Sequence, residues 1–163
     1  GQGNSGKLVT LVREHARQMA GASGHQLILI DGPPGVGCPV IASLTGVAFV
    51  LVVTEPTPSG EHDLERVLTL ARHFAVPALV CVNKHDLNPA MTAQIEHRAM
   101  ALGAAVVGHI PYDPAVTAAQ QLGQTILEHG RSPAARAIIQ LWNHLSRNYL
   151  NPTFDRSRPT LAH

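Results

Sequence analysis

Short runs rich in Val, Ile and Leu, each bounded by Gly, Pro or Asp, stand out in the pattern of apolar and polar positions: Gln26 to Ile30, Ala48 to Thr54, Ala78 to Asn83 and Ala105 to Ile110. Continuous apolar runs of this length, without alternation, predict strands buried on both faces, as in a parallel sheet. Around them, apolar positions recur at helical spacing over Lys7 to Ala20, Glu61 to Phe74 and Ala90 to Leu102. This order predicts βαβ units, and hence an α/β domain with a mainly parallel β-sheet and helices on both faces.

Helix starts are marked by capping residues. Ser59, followed by Glu61 and Asp63, reads as an N-cap with acids in the first turn, and Asn88-Pro89 as a cap followed by proline. Ser132-Pro133 opens a last helix running to about Asn148, with Ile138, Leu141, Trp142 and Leu145 as an apolar stripe for the core. Residues Asn151 to His163 are poor in core formers and read as a tail after a single domain over residues 1 to 150.

Composition narrows the classes. The 163 residues are 45% hydrophobic, enough for one core. Twelve basic against eleven acidic residues, a formal charge of +1, announce no nucleic acid partner. The ten histidines are scattered without metal-ligand spacing. Cys38 and Cys81 lie in apolar surroundings rather than at framework spacing, which points to a reducing compartment and a cytoplasmic address. No apolar run approaches the ~20 residues of a membrane-spanning helix. The chain opens on Gly1, directly in a glycine-rich motif, which suggests that something upstream is absent.

Candidate chemistry gathers where the apolar runs end. The first run stops at Asp31, followed by Gly32-Pro33-Pro34-Gly35-Val36-Gly37-Cys38-Pro39. A carboxylate at the C-terminal edge of a parallel sheet stands where α/β folds bind ligands. In a nucleotide switch such an Asp holds Mg²⁺ through water, and a following glycine N–H senses a γ-phosphate. Asp31 and Gly35 are the candidates for those two roles, the alternative being a turn cap in a stiffened loop. The second run leads into Thr54-Glu55-Pro56-Thr57-Pro58-Ser59-Gly60, a polar loop at the same edge suited to touching a nucleotide or a second subunit. The third ends in Asn83-Lys84-His85-Asp86, the Asn-Lys-x-Asp pattern of base recognition; the Asn amide can donate to and accept from a purine, and the Asp suggests guanine. Four letters fit a structural loop equally well. The fourth ends in Ile110-Pro111-Tyr112-Asp113-Pro114, either a wall of the base pocket or a turn.

Gly1-Gln2-Gly3-Asn4-Ser5-Gly6-Lys7 has the letters of a phosphate-cradling loop. A working one follows a buried strand and supplies Ser or Thr to Mg²⁺; here no strand precedes it, and Leu8 takes the hydroxyl position. It reads instead as a helix start.

Together, the Gly1 to Val9 run, Asp31 to Pro39 and Thr54 to Gly60 resemble the MinD/ParA-type (SIMIBI) P-loop ATPases, in the subfamily with an inserted ferredoxin domain. The resemblance covers about residues 1 to 130. It implies an incomplete P-loop NTPase-like domain whose first strand, Walker A loop and iron–sulfur insert are not in this sequence. It further implies that Asp31 is the Mg²⁺-linked switch residue, that Gly35 lies in the second switch, that Asn83 and Pro111 flank an adenine so that ATP outranks guanine, and that the protein forms a homodimer around ATP. Glu55 and Asp86 complete the candidate nucleotide-binding set. Three functions follow. The leading one is an ATP-binding switch portion, inactive alone, of a protein coupling ATP hydrolysis to iron–sulfur, electron-transfer or metallocluster work. The others are a non-catalytic dimerisation or docking module, and a GTPase-like protein using Gly1 to Lys7 for phosphate.

Overall fold

The computed structural model describes residues 2–150, and side chains from residue 6 onward; Gly1 and the expected tail lie outside the described residues. Three strands, β1 (Val50–Thr54), β2 (Ala78–Asn83) and β3 (Ala105–Ile110), form one sheet in the order β1-β2-β3. Both pairings are parallel, with Val50 opposite Ala78 and Asn83 opposite Ile110. A register shift beside Val80 and Cys81 places Cys81 opposite Gly108.

The helices are α1 (Gln2–Ser23), α2 (Cys38–Leu44), α3 (Pro58–His73), α4 (Pro89–Ala101), α5 (Pro114–Gln121), α6 (Ile126–His129) and α7 (Pro133–Asn148). Four begin on a side-chain cap followed by proline: Thr57-Pro58, Asn88-Pro89, Asp113-Pro114 and Ser132-Pro133. The cap accepts one otherwise orphaned N–H, and proline has no N–H to orphan. The α3 cap is therefore Thr57, whose hydroxyl accepts from Gly60 N at 3.0 Å, and not Ser59 as the acids at Glu61 and Asp63 suggested.

β2 is buried on both faces and separates two cores, as the central strand of a covered parallel sheet must. On one side Val80 and Val82 meet Leu64 and Leu68 of α3 and Ile95 and Ala99 of α4. On the other, Leu79 meets Leu145 of α7, with Leu141 and Tyr149 against Phe49, Leu51 and Val107. Of the stripe expected on α7, Leu145 is buried and Leu141 half-buried, but Trp142 stays 48% exposed.

The expected strand at Gln26 to Ile30 does not form. The segment has no assigned strand structure, and Leu29 is 85% exposed. A strand exists only as part of a hydrogen-bonded ladder, and β1, the nearer sheet edge in sequence, pairs only with β2 among the described residues. α1 packs on α2 instead of the sheet. There the Arg13 guanidinium donates to Ala42 O and, at 2.6 Å, to Thr45 O, satisfying carbonyls at the α2 C-terminus. No helix among the described residues is long and apolar enough to cross a membrane.

Candidate functional site

The loops leaving β1, β2 and β3 meet at the C-terminal edge of the sheet, because parallel strands all end on the same side. Polar side chains there join one loop to the next. Glu55 Oε1 accepts from Lys84 Nζ at 2.7 Å and from Asn83 Nδ2 at 3.4 Å. Asp86 Oδ1 accepts from Tyr112 N at 2.7 Å, and His85 N donates to Ile110 O at 3.3 Å. Thr92 of α4 donates to His85 O at 2.8 Å, anchoring the loop from behind.

Two backbone features shape this edge. Lys84 has φ +53, an uncommon conformation for a residue with a Cβ, in the middle of the loop. Gly60 sits so tightly that a Cβ on it would lie 2.3 Å from Glu55 O. Thr54 Oγ1 also donates to Gly60 O at 3.0 Å. The first turn of α3 thus clamps the Thr54 to Thr57 loop that carries Glu55.

Asp113 belongs to the scaffold behind the edge. Its Oδ2 accepts from Ala134 N and its Oδ1 from Ala115 N, both at 3.0 Å, so one carboxylate caps α5 and ties it to α7. The Ala134 N–H above all, then the Ser132 hydroxyl and the Ala115 N–H, hold its pKa below the ordinary value. A depressed carboxylate stabilises the fold above its unfolded pKa, and that contribution is lost as pH falls through the folded one. Asp113→Asn is therefore expected to unfold at lower denaturant than the parent near neutral pH, the gap closing as pH falls below the ordinary 3.8. Urea midpoints across that range check it; a gap independent of pH would show that the charge plays no part.

Of the residues singled out in the sequence, Glu55, Asn83, Asp86 and Pro111 come together here, Pro111 between the bonded Ile110 and Tyr112. Asp31 and Gly35 do not join them. Both are exposed, Gly35 has φ +90 with open space around it, and among the described residues no hydrogen bond or ion pair links either to the cluster. Their neighbour Val36 lines an open cleft of about 490 Å³ with Glu65, Arg66, Thr69, Leu70 and His73. These lie from the middle of α3 to its C-terminal end, whereas the edge lies where α3 begins.

No protein-family model matches the chain. Over 88 residues, 54% of this chain, it is 36% identical to the uncharacterized protein MJ0578 of Methanocaldococcus jannaschii, of which the match spans 30%. Over 117 residues it is 22% identical to the uncharacterized ATP-binding protein MJ0547 of the same organism, spanning 44% of it. Among solved structures, the MinD cell division protein of Aquifex aeolicus superposes with a TM-score of 0.70 at 23% identity, over 83% of this chain and 59% of that one. The chain has the MinD-type, P-loop ATPase-like fold. The septum site-determining protein MinD of Pyrococcus horikoshii OT3, complexed with Mg-ADP, gives a TM-score of 0.62 at 20% identity, over 78% of this chain and 52% of that one. This chain thus spans under half the length of these two curated relatives and between half and three-fifths of these MinD chains.

Within this MinD-type fold the described part of the Gly-x4-Gly-Lys letters, Gln2 to Lys7, falls in α1, and Lys7 is exposed. Gly6 serves packing: a Cβ there would touch Cys38 at 3.5 Å, where α1 meets α2. Cys81 is buried, which pushes its thiol up to about 11 and keeps it protonated at neutral pH, whereas Cys38 is exposed. Among the described residues no group of three His, Cys, Asp or Glu could hold a metal. Sequence reasoning did not anticipate the Lys84 to Glu55 ion pair or the Gly60 clamp. The signal for the clamp was Thr57-Pro58, the same cap–proline pair that was read correctly at Asn88 and Ser132.

Proposed function

We propose that this chain carries the base-binding part of a nucleotide site in a MinD-type ATPase, with adenine as its base. The observation that supports it best is the convergence of Glu55, Asn83, Asp86 and the Ile110 to Tyr112 segment at the C-terminal sheet edge, the position where open α/β sheets take ligands. The ATP-binding description of MJ0547 and the Mg-ADP in the Pyrococcus protein point the same way. The amide at Asn83 and the proline at Pro111 suit the edge and face of a purine.

The residues proposed for Mg²⁺ and phosphate do not fit those groups in this arrangement. Asp31 is exposed and, among the described residues, bonded to no member of the base cluster, and residues 2–7 are helical. No hydrolytic step is derived from this chain. We assign Asp31 and Gly35 to the switch only for a state in which residues 26 to 37 lie beside β1. Dimerisation around ATP and coupling to an iron–sulfur or electron-transfer partner rest on the sequence resemblance, and a cytoplasmic setting rests on the placing of Cys38 and Cys81. An iron–sulfur cluster would need ligands beyond exposed Cys38 and buried Cys81.

Calorimetric titration with Mg-ATP, Mg-ADP and Mg-GTP tests the proposal. Adenine nucleotides are expected to bind weakly, with Kd on the order of 1 mM or about −4 kcal/mol, and Asn83→Ala to abolish the heat. Equal binding by Asn83→Ala would remove the base site, whereas equal binding by Asp31→Ala would remove only the switch roles of Asp31 and Gly35. A docking module is the second reading, favoured by the exposed Leu8, Leu11, Val12 and Met19 along α1. A dimer indifferent to nucleotide in sedimentation would favour it.

A further inference from the structure

We propose that Glu55 sets the base preference of this site by fixing which way round the Asn83 amide faces; the inference rests on the base-site reading above. An ionised carboxylate only accepts hydrogen bonds, so the Asn83 group within 3.4 Å of Glu55 Oε1 is its NH₂. With one amide N–H held by Glu55, the amide oxygen is the acceptor that Asn83 offers to a ligand. A purine bearing an amino group at position 6 donates to that oxygen, whereas a 6-oxo purine meets it acceptor against acceptor.

The same oxygen of Glu55 holds Lys84 Nζ at 2.7 Å. Lys84 is a second donor on this loop that would favour a 6-oxo group, and the same carboxylate draws it in. The third member of the Asn-Lys-x-Asp pattern is also committed, since Asp86 Oδ1 accepts from Tyr112 N. The letters that suggest guanine in the sequence are thus tied to the neighbouring loops, Asn83 and Lys84 through Glu55 and Asp86 through Tyr112. Glu55 is a positioning residue: it acts on the base through Asn83.

Nucleosides, which lack phosphates, read the base contacts at this edge alone. Saturation-transfer NMR with adenosine, inosine and guanosine, in competition on the full chain, measures the preference. Inosine separates the position-6 effect from any contact at the 2-amino group. The parent chain is expected to prefer adenosine over inosine by on the order of 10-fold or more, as expected for one well-made base contact. Glu55→Ala frees both the Asn83 amide and Lys84, and the ratio is expected to fall to about 1 or to invert. Glu55→Gln, whose own amide can still accept from Asn83 but holds Lys84 without charge, is expected to fall between, and it serves should the alanine variant fail to fold. Adenosine preference unchanged in both variants, or absent from the parent, overturns the role of Glu55 while the base site stands. Failure of every nucleoside and of Mg-ATP to bind the parent overturns the base site itself, and this inference with it.

Discussion

Ile95→Ala is expected to cost about 2–5 kcal/mol of folding stability, the range for truncating a fully buried isoleucine and leaving a cavity. Ile95 is 0% exposed and shares the larger core with Leu64, Leu68, Val80 and Val82. It packs α4 against Val80 and Val82 of the sheet. Domains are typically held by only about 5–15 kcal/mol, so the loss is a large share of the total and lowers Tm by on the order of 10 °C. Thermal unfolding followed by circular dichroism reads it, with Ile95→Val as the graded control at about 0.5–1.5 kcal/mol. An alanine variant no worse than the valine variant would mean that α4 does not pack as described. The effect also reaches the ligand edge, because Thr92, on the preceding turn of α4, holds His85 O.

Gly60→Ala is expected to destabilise by about 1–3 kcal/mol through overpacking. The added methyl would stand 2.3 Å from Glu55 O and 3.0 Å from both Thr54 Oγ1 and Thr57 Oγ1. The closest atom is backbone, so relief requires moving either the start of α3 or the loop that carries Glu55. The variant should therefore lose base selectivity along with stability, since Glu55 no longer meets Asn83 and Lys84. Gly21→Ala is the control of opposite sign: it lies in α1 with nothing within 4 Å of the added atom, and is expected to gain about 0.5–1 kcal/mol from reduced backbone entropy in the unfolded chain. Urea unfolding of the two variants side by side checks the pair. Equal and small effects would mean that the Thr54 to Gly60 clamp has slack.

The sequence was most legible where local pattern and tertiary setting agree. β2 and β3 occupy the expected ranges, Ala78–Asn83 and Ala105–Ile110, because a buried parallel strand must be apolar throughout. β1 starts at Val50, two residues after the expected Ala48. Gln26 to Ile30 has the same pattern but no ladder, and no pattern within a segment reveals whether a neighbour will be there. The helices α2, α5 and α6 are four to eight residues long, too short for a helical period to emerge from the surrounding loops.

At the candidate site, the polar residues at strand ends were legible one by one: Glu55, Asn83, Asp86 and Pro111. Their partnerships were not, because Glu55 and Asn83 are 28 positions apart and Asp86 and Tyr112 are 26 apart. Only the parallel sheet makes them neighbours. The expected grouping with Asp31 depended on a strand ending there, and that strand is not formed.

The outer edge of β1 has a consequence for handling the chain. Val50-Leu51-Val52-Val53-Thr54 contains no charge and no proline, and Val53 is 56% exposed. Natural sheets blunt such edges with lysine, proline or a bulge, because a row of unsatisfied N–H and C=O groups accepts any extended backbone as a partner. Among the described residues no strand pairs with this edge, and it is strongly β-forming, the composition that seeds intermolecular sheets. Solubility, rather than folding stability, is therefore expected to set how concentrated a solution of this chain can be kept, and a charge at exposed Val53 is expected to raise that limit with little disturbance to either core.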